Sequence, residues 1–358
     1  MTSSANALLQ RISFILLGSG GSDAEAPSID ATLEAMDSHL ENFETLVEPA
    51  PESKPRTPFD SGLPLSEVSL GNLTRNQRRV VLPHAVPLFL NMLRAAKGYD
   101  GKFKPTQSLA SSEFITELES RAYSSGVKDI KYIKVPRNAI FRGKGIPHEY
   151  AVVYTVEMDK EPIDTSPSFE SQVEVMKGYK RLAIIGNKLA RFMKKAGFAA
   201  YPGMALGGIT DYDYLAELAG IGAIGYHGLL ITPGEGARLR INTIYTNIEN
   251  LPIQESNDHL WVRDFCAMCK KCVRNCPVDA IYDVPRARGD GGMQCIDHAD
   301  CREYFTRNYG CAICLAICPF SQVGYKAIKK RFKGNPRAPQ FVIPVKSVPD
   351  ENPLPSRV

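Results

Sequence analysis

The placement of cysteine constrains this chain more than any other feature. All nine cysteines lie between Cys266 and Cys318, and the first 265 residues contain none. A disulfide-stabilised secreted fold spreads its cysteines along a much shorter chain. Crowding them into one segment is what metal ligation needs. The remainder has an ordinary globular composition, 44% hydrophobic and 23% charged, which excludes a disordered or fibrous chain. With 358 residues, about two domains are expected, or one large domain with an appendage. A net charge of +4 is too small to argue for nucleic acid. The longest apolar-rich stretch, Val80 to Leu93, is interrupted by Pro83, His84, Pro87 and Asn91, so no transmembrane helix is expected. The opening residues lack a signal-peptide core, and the Arg78-Arg79 pair lies too deep for an export signal. A cytoplasmic location is therefore expected.

Spacing within the cysteine segment is specific. Cys266, Cys269, Cys272 and Cys276-Pro277 follow the C-x2-C-x2-C-x3-C-P run of bacterial ferredoxins. Three thiolates at this spacing wrap one 4Fe–4S cubane, and the fourth reaches toward a second cluster. Cys311, Cys314 and Cys318-Pro319 form a second run that lacks its first cysteine, which Cys301 can supply across a longer loop. The expected ligand sets are Cys266, Cys269, Cys272 and Cys318 for one cluster, and Cys276, Cys301, Cys311 and Cys314 for the other. Structural zinc prefers four ligands in two pairs and fits two interleaved triplets poorly. Cys295 is left over and competes with Cys301 as the remote ligand.

Four regions are expected. Residues 1–58 comprise a poorly ordered start, an amphipathic helix over Ser28–Val47 capped by Ser28, and a Pro-rich extended linker. Residues 59–255 form the main domain, with a buried strand over Tyr150–Met158, a long helix over Glu170–Ala196 stopped by Gly197, a short helix near Asp213–Leu218, and strands at Leu229–Thr232 and Leu239–Thr246. The glycines between Gly203 and Gly228 suggest backbone lying against a large flat group, with tight turns as the plainer alternative. No G-x-G-x-x-G signature of a dinucleotide site accompanies them. Residues 256–322 carry the clusters. Residues 323–358, basic and Pro-rich, are expected to wrap the surface in extended form.

Clusters relay single electrons and do no bond chemistry unaided, so a reaction in the preceding domain is implied. The order of features resembles the cobalamin-dependent reductive dehalogenase family and, more distantly, epoxyqueuosine reductase. The resembling segments are YAVVYTVEMD, KGYKRLAIIGNKLARFMKKAGFAAYP, AGIGAIGYHGLLITPGEGARLR and CREYFTRNYGCAICLAICPF, from about Tyr150 to Gln322. The resemblance implies an α+β architecture: a nitroreductase-like domain binding base-off cobalamin non-covalently, followed by a ferredoxin-like dicluster domain. It implies a small organic substrate, an organohalide or a molecule with a comparable leaving group, and an external donor such as a ferredoxin or flavodoxin. By position, Tyr179 after Gly178 matches the family's proton donor. Arg238 matches its basic partner, with Arg240 as substitute; Arg itself does not donate a proton, so its part is electrostatic. Tyr201, Gly203, Gly222, His227, Gly228, Leu230 and Thr232 fall at the implied cobalamin site.

One departure stands out. Met204-Ala205-Leu206 occupies the stretch where dehalogenases carry a polar Asn-Asp segment and epoxyqueuosine reductases a catalytic Asp, unless Asp211 or Asp213 fills in. That counts against tRNA modification, as does the charge balance outside the tail, 35 Lys and Arg against 37 Asp and Glu. A non-catalytic electron-transfer or corrinoid-handling protein is the alternative of a different class.

Overall fold

The computed structural model describes residues 29–58 and 67–332. Its centre is a four-stranded antiparallel sheet of β1 (Ile130–Lys134), β2 (Tyr150–Glu157), β3 (Ala200–Pro202) and β6 (Leu239–Thr246), ordered β1-β2-β6-β3. Strands β2 and β6 pair over their whole length, from Tyr150 opposite Thr246 to Glu157 opposite Leu239. Both are buried almost without alternation, because helices cover both faces of the sheet. Successive side chains of β6 point to opposite faces. Asn242 faces the long helix α5 (Phe169–Lys195) and donates to Tyr154 Oη at 3.2 Å. Tyr245 points the other way and shares a hydrogen bond with Thr210, just before the short helix α6 (Tyr212–Leu218).

Helix α5 begins with a capping box between Ser168 and Ser171 and ends where Gly197, at φ +90°, turns the chain back. Its buried stripe includes Leu182, Ile185, Leu189 and Met193. Gly186 lets α5 sit directly on the sheet: a Cβ there would meet Tyr154 Oη at 2.7 Å and Pro202 Cβ at 3.2 Å. Gly186→Ala is therefore expected to lower stability by about 1–3 kcal/mol by overpacking, although alanine is the better helix former; thermal unfolding measures it. Outside α5 lies α2 (Arg75–Lys97), a 23-residue helix that holds Pro83 and Pro87 inside it. Those prolines made the segment read as interrupted. The helix survives because Thr74 and Gln77 close a capping box, and Asn91 Nδ2 donates to the Pro87 carbonyl at 2.8 Å. Helix α3 (Ser112–Ser124) packs beside the far end of α5, and the short α4 (Lys160–Asp164) lies against its start.

The amino-terminal helix is shorter than its periodicity suggested. Helix α1 spans Ile29–Asp37, a 3-10 turn follows to Asn42, and Val47 bridges to Ile146. Asp37 is held by ion pairs to Arg56 and Lys144, both at 2.8 Å, which draw the chain away from a helical path. Residues 43–58 are a strap and not a free linker: Arg137 holds the Glu48 carbonyl and Arg142 the Ser53 carbonyl, and Lys54 pairs with Asp211. Ser28, the expected cap, lies outside the described residues.

A second core forms beneath the cysteines. It is built from α7 (Trp261–Cys269), α8 (Lys271–Arg274), the hairpin β7–β8 (Ile281–Ala287 and Met293–Ile296), α9 (His298–Arg307), α10 (Ile313–Ala316), α11 (Pro319–Gln322) and α12 (Tyr325–Phe332). Helix α12 corrects the expectation of an extended tail, since Tyr325, Ile328 and Phe332 share one face and bury it. The remainder of that tail, residues 333–358, lies outside the described residues. The two cores meet at Gly236, φ +65°, where a Cβ would lie 2.4 Å from the Phe320 carbonyl carbon. Ala237 N also donates to Ser321 Oγ, and Ala312 N to Ser166 Oγ.

Candidate functional site

The cysteine segment folds so that the thiols fall into two groups. Cys266 is pushed up by burial and by the nearby thiols of Cys318 and Cys269. Cys272 is pushed up by burial and by Cys266, Cys318 and Cys314. Cys311 is raised to about 12 by burial, with Cys301 and Cys276 beside it, and Cys314 is pushed up by burial and by Cys311, Cys301, Cys276 and Cys318. Cys301 stands next to Cys276, and its thiol is raised to about 11 by burial and that neighbour. The chain thus brings together Cys266, Cys269, Cys272 and Cys318, and separately Cys276, Cys301, Cys311 and Cys314. The two groups touch where Cys314 approaches Cys272 and Cys318. Among the described residues no three Cys, His, Asp or Glu side chains close in tightly enough to enclose a single metal ion.

Backbone geometry builds these loops. Lys270, at φ +45°, ends α7 and starts α8, turning the chain between Cys269 and Cys272. Tyr309, at φ +49°, precedes Cys311; its N–H is held by Ser69 Oγ at 3.0 Å and its ring packs against Phe169. A bulky residue in the left-handed region costs on the order of 1–3 kcal/mol and persists only where its surroundings fix it. Backbone N–H groups also point at sulfur: those of Phe320 and Ser321 at Cys318, that of Ala280 at Cys276 at 3.3 Å. Such donors tune the potential of an iron–sulfur centre. Cys295 stands apart on β8, 2% exposed, with its thiol raised to about 11 by burial and facing Arg288, Arg263 and the Gly228 N–H.

On the sheet, Tyr179 and Arg240 come together. Gly178 lets the Arg240 stem cross the helix, since a Cβ there would lie 3.1 Å from Arg240 Cγ. The Arg240 guanidinium then sits 5.0 Å from the centre of the Tyr179 ring. Arg238, the residue matched by position, is turned elsewhere. It is 5% exposed, its Nη1 donates to the Met158 carbonyl at 2.7 Å, and its Nη2 pairs with Glu235. The cation against Tyr179 is thus two residues further along the strand, on the same face.

The glycines face the protein's own chain and not an open flat surface. A Cβ on Gly203 would strike Tyr212 Oη at 2.2 Å, and one on Gly222 the Ile231 carbonyl at 2.2 Å. Tyr201 is buried under Phe43, Tyr99 and His148, with Lys194 over its ring. In the hairpin of β4 (Ala223–Ile224) and β5 (Leu230–Ile231), Thr232 N bonds the Gly236 carbonyl, and Gly228 takes φ +80° against Cys295. His227 Nδ1 accepts from Leu229 N at 3.2 Å, so Nε2 carries the proton. Burial pushes this imidazole down to about 4, so it is neutral. His227 Nε2 and Arg240 Nε are buried without an acceptor among the described residues, as are the Nε atoms of Arg181, Arg238, Arg263 and Arg302.

Met204, Ala205 and Leu206 are buried, and neither nearby acid is placed to replace a catalytic carboxylate. Asp211 caps α6 and bridges Lys54 and Arg288. Asp213 accepts from Leu230 N at 2.8 Å, and burial together with Asp211 raises it to about 6. A carboxyl raised on folding stabilises fully below the ordinary Asp range, near 4, and that stability is lost as pH climbs through about 6. Asp213→Asn keeps an acceptor for Leu230. It is expected to remove about 3 kcal/mol of pH dependence between those values, seen by comparing unfolding midpoints of the two proteins across that window. Sequence reasoning offered Asp213 only as a stand-in for the missing acid; its hold on Leu230 has no sequence signal beyond an acid two residues past a helix cap, which does not distinguish it from a surface charge.

Residues 259–282 match the 4Fe-4S binding domain family. The chain is 33% identical over 193 residues to the tetrachloroethene reductive dehalogenase of Dehalobacter restrictus, covering 50% of this chain and 34% of that protein. It is 29% identical over 136 residues to the epoxyqueuosine reductase of Francisella cf. novicida, covering 33% and 34%. A solved reductive dehalogenase, described with a mechanism for B12-dependent dehalogenation, superposes with a TM-score of 0.62 at 19% identity, over 83% of this chain and 48% of that one. The chain therefore spans about a third of the curated relatives it matches. No helix among the described residues is long and apolar enough to cross a membrane. By sequence and by fold the chain is a relative of the reductive dehalogenases, which are oxidoreductases, and a more distant one of epoxyqueuosine reductase.

Proposed function

We propose that this chain is a cobalamin-dependent iron–sulfur reductase that removes a halogen, or a comparable leaving group, from a small organic substrate. The observation that carries the reading is the pairing of two four-thiol groups with a separate phenol–guanidinium pair, Tyr179 and Arg240, in a relative of the reductive dehalogenases. Cys266, Cys269, Cys272 and Cys318 would hold one 4Fe–4S cluster, and Cys276, Cys301, Cys311 and Cys314 the other. The main domain, nitroreductase-like in this reading, would hold base-off cobalamin without a covalent bond. His227 Nε2, a buried imidazole N–H with no acceptor among the described residues, would find one in a bound group. Tyr201, Gly203 and Gly222 face their own chain and would shape the surroundings of that group.

The net reaction consumes an organohalide, two electrons and one proton, and yields the hydrogen-substituted product and halide. Bound cobalamin would supply a strongly reducing cobalt that accepts electrons one at a time from the clusters. Tyr179 Oη would give the proton, and the Arg240 cation over its ring would stabilise the phenolate left behind. The buried Met204–Leu206 segment would present an apolar wall to the substrate, suited to a carbon–halogen group and short of polar contacts.

Anaerobic reconstitution with iron, sulfide and hydroxocobalamin, followed by gel filtration, tests the cofactor assignment. About one corrin per chain is expected to co-elute. Elution with clusters and no corrin would reject the dehalogenase reading in favour of an electron carrier. No feature of the site favours epoxyqueuosine chemistry, because Asp211 and Asp213 are both engaged in holding the fold.

A further inference from the structure

Helix α12 carries Lys326, Lys329 and Lys330 exposed on its outer face and no acidic residue at all. None of the three makes an ion pair among the described residues. A helix dipole favours cations in the last turn, but it does not account for Lys326 in the first. The inner face rests on an aromatic layer. Tyr325 lies 5.1 Å from Trp261 and 5.7 Å from Phe320, and Phe332 lies 5.5 Å from Phe265, centroid to centroid. Trp261 Nε1 and His259 Nδ1 both reach the Tyr325 hydroxyl, fixing the helix in place. Phe265 immediately precedes Cys266, and the Phe320 N–H points at the Cys318 sulfur. A lysine-rich surface thus stands one aromatic layer from two thiols of one group.

We propose that this face of α12 is where a small acidic one-electron carrier, an iron–sulfur or flavin protein, docks to reduce the Cys266–Cys318 cluster. The inference rests on the cluster assignment above. At each encounter the donor loses one electron and the cluster gains it, with no bond made or broken. The apolar side of α12 is buried within the protein, which removes the apolar face an interfacial membrane helix needs.

The test uses the full chain with its clusters reconstituted, and follows cluster bleaching in a stopped-flow instrument; it needs neither cobalamin nor turnover. The donors are a pre-reduced acidic ferredoxin and, as control, a reduced zwitterionic viologen. The triple variant Lys326→Glu, Lys329→Glu, Lys330→Glu is expected to react about tenfold or more slowly with ferredoxin at low salt. Its rate with the viologen should be unchanged. The unmodified protein should itself slow with ferredoxin as salt rises from about 20 to 300 mM. An unaltered ferredoxin rate in the variant, an equal loss with viologen, or a salt-independent rate in the unmodified protein would each overturn the assignment. So would lysine-dependent retention of a tRNA anticodon stem-loop, which would give the face to nucleic acid. Failure to assemble any cluster would instead count against the proposed function.

Discussion

Cys301→Ala is expected to reduce the iron bound after reconstitution from about eight to about four atoms per chain, whereas Cys295→Ala keeps about eight. The reason is where each thiol stands. Cys301 sits at the start of α9 beside Cys276, in one group with Cys311 and Cys314. Cys295 sits on β8, facing arginines and a backbone N–H. A cubane that loses one thiolate of four opens an iron to solvent, and at a half-buried site such as Cys301 the cluster decays. Iron and sulfide analysis alongside the visible spectrum reads the result. Full iron in the Cys301 variant with loss in the Cys295 variant would reverse the ligand assignment. Loss in both would make Cys295 a support of the fold beneath the first group, since it lies near Cys266.

Tyr179→Phe is expected to lower turnover by about 10²–10⁴-fold while leaving iron, corrin and the unfolding midpoint unchanged. The substitution keeps the ring, its packing against the core and its contact with Arg240, and removes only the hydroxyl. A packing role predicts the reverse, with near-normal turnover for Phe and lost stability only for Ala. Arg240→Gln should slow turnover as well, because the phenolate would lose the cation that lies over its ring. Arg238→Gln should act chiefly on stability, since it would break the bonds to Met158 and Glu235. Kinetics on a chlorinated alkene separates these outcomes. Equal kinetic losses at Arg238 and at Arg240 would show that the positional match, and not the contact to the ring, identifies the cation.

Cysteine spacing alone pointed to the metal chemistry, because a cubane needs its ligands at short, fixed intervals and those intervals are written along the chain. The long helix, with its glycine stop, and strand β6 were legible for a similar reason: side-chain periodicity and a left-handed turn are local properties. Tertiary structure decided what local pattern leaves open. Arg238 and Arg240 are equivalent by strand parity, and only the path across Gly178 puts Arg240 on Tyr179. The glycines read as a cradle because glycine reports close approach without saying to what, and the approach is to Tyr212 and Ile231. The amino-terminal strap was opaque because distant partners settle it, Lys144 and Arg56 on Asp37, and the prolines of α2 because a capping box and the Asn91 amide offset them in a helix packed against α5. Helix α12 was hidden by the proline-rich sequence after it, and the aromatic layer above the first thiol group gives it a surface on which to fold. Contacts between residues far apart in the chain, which no local pattern records, placed these parts.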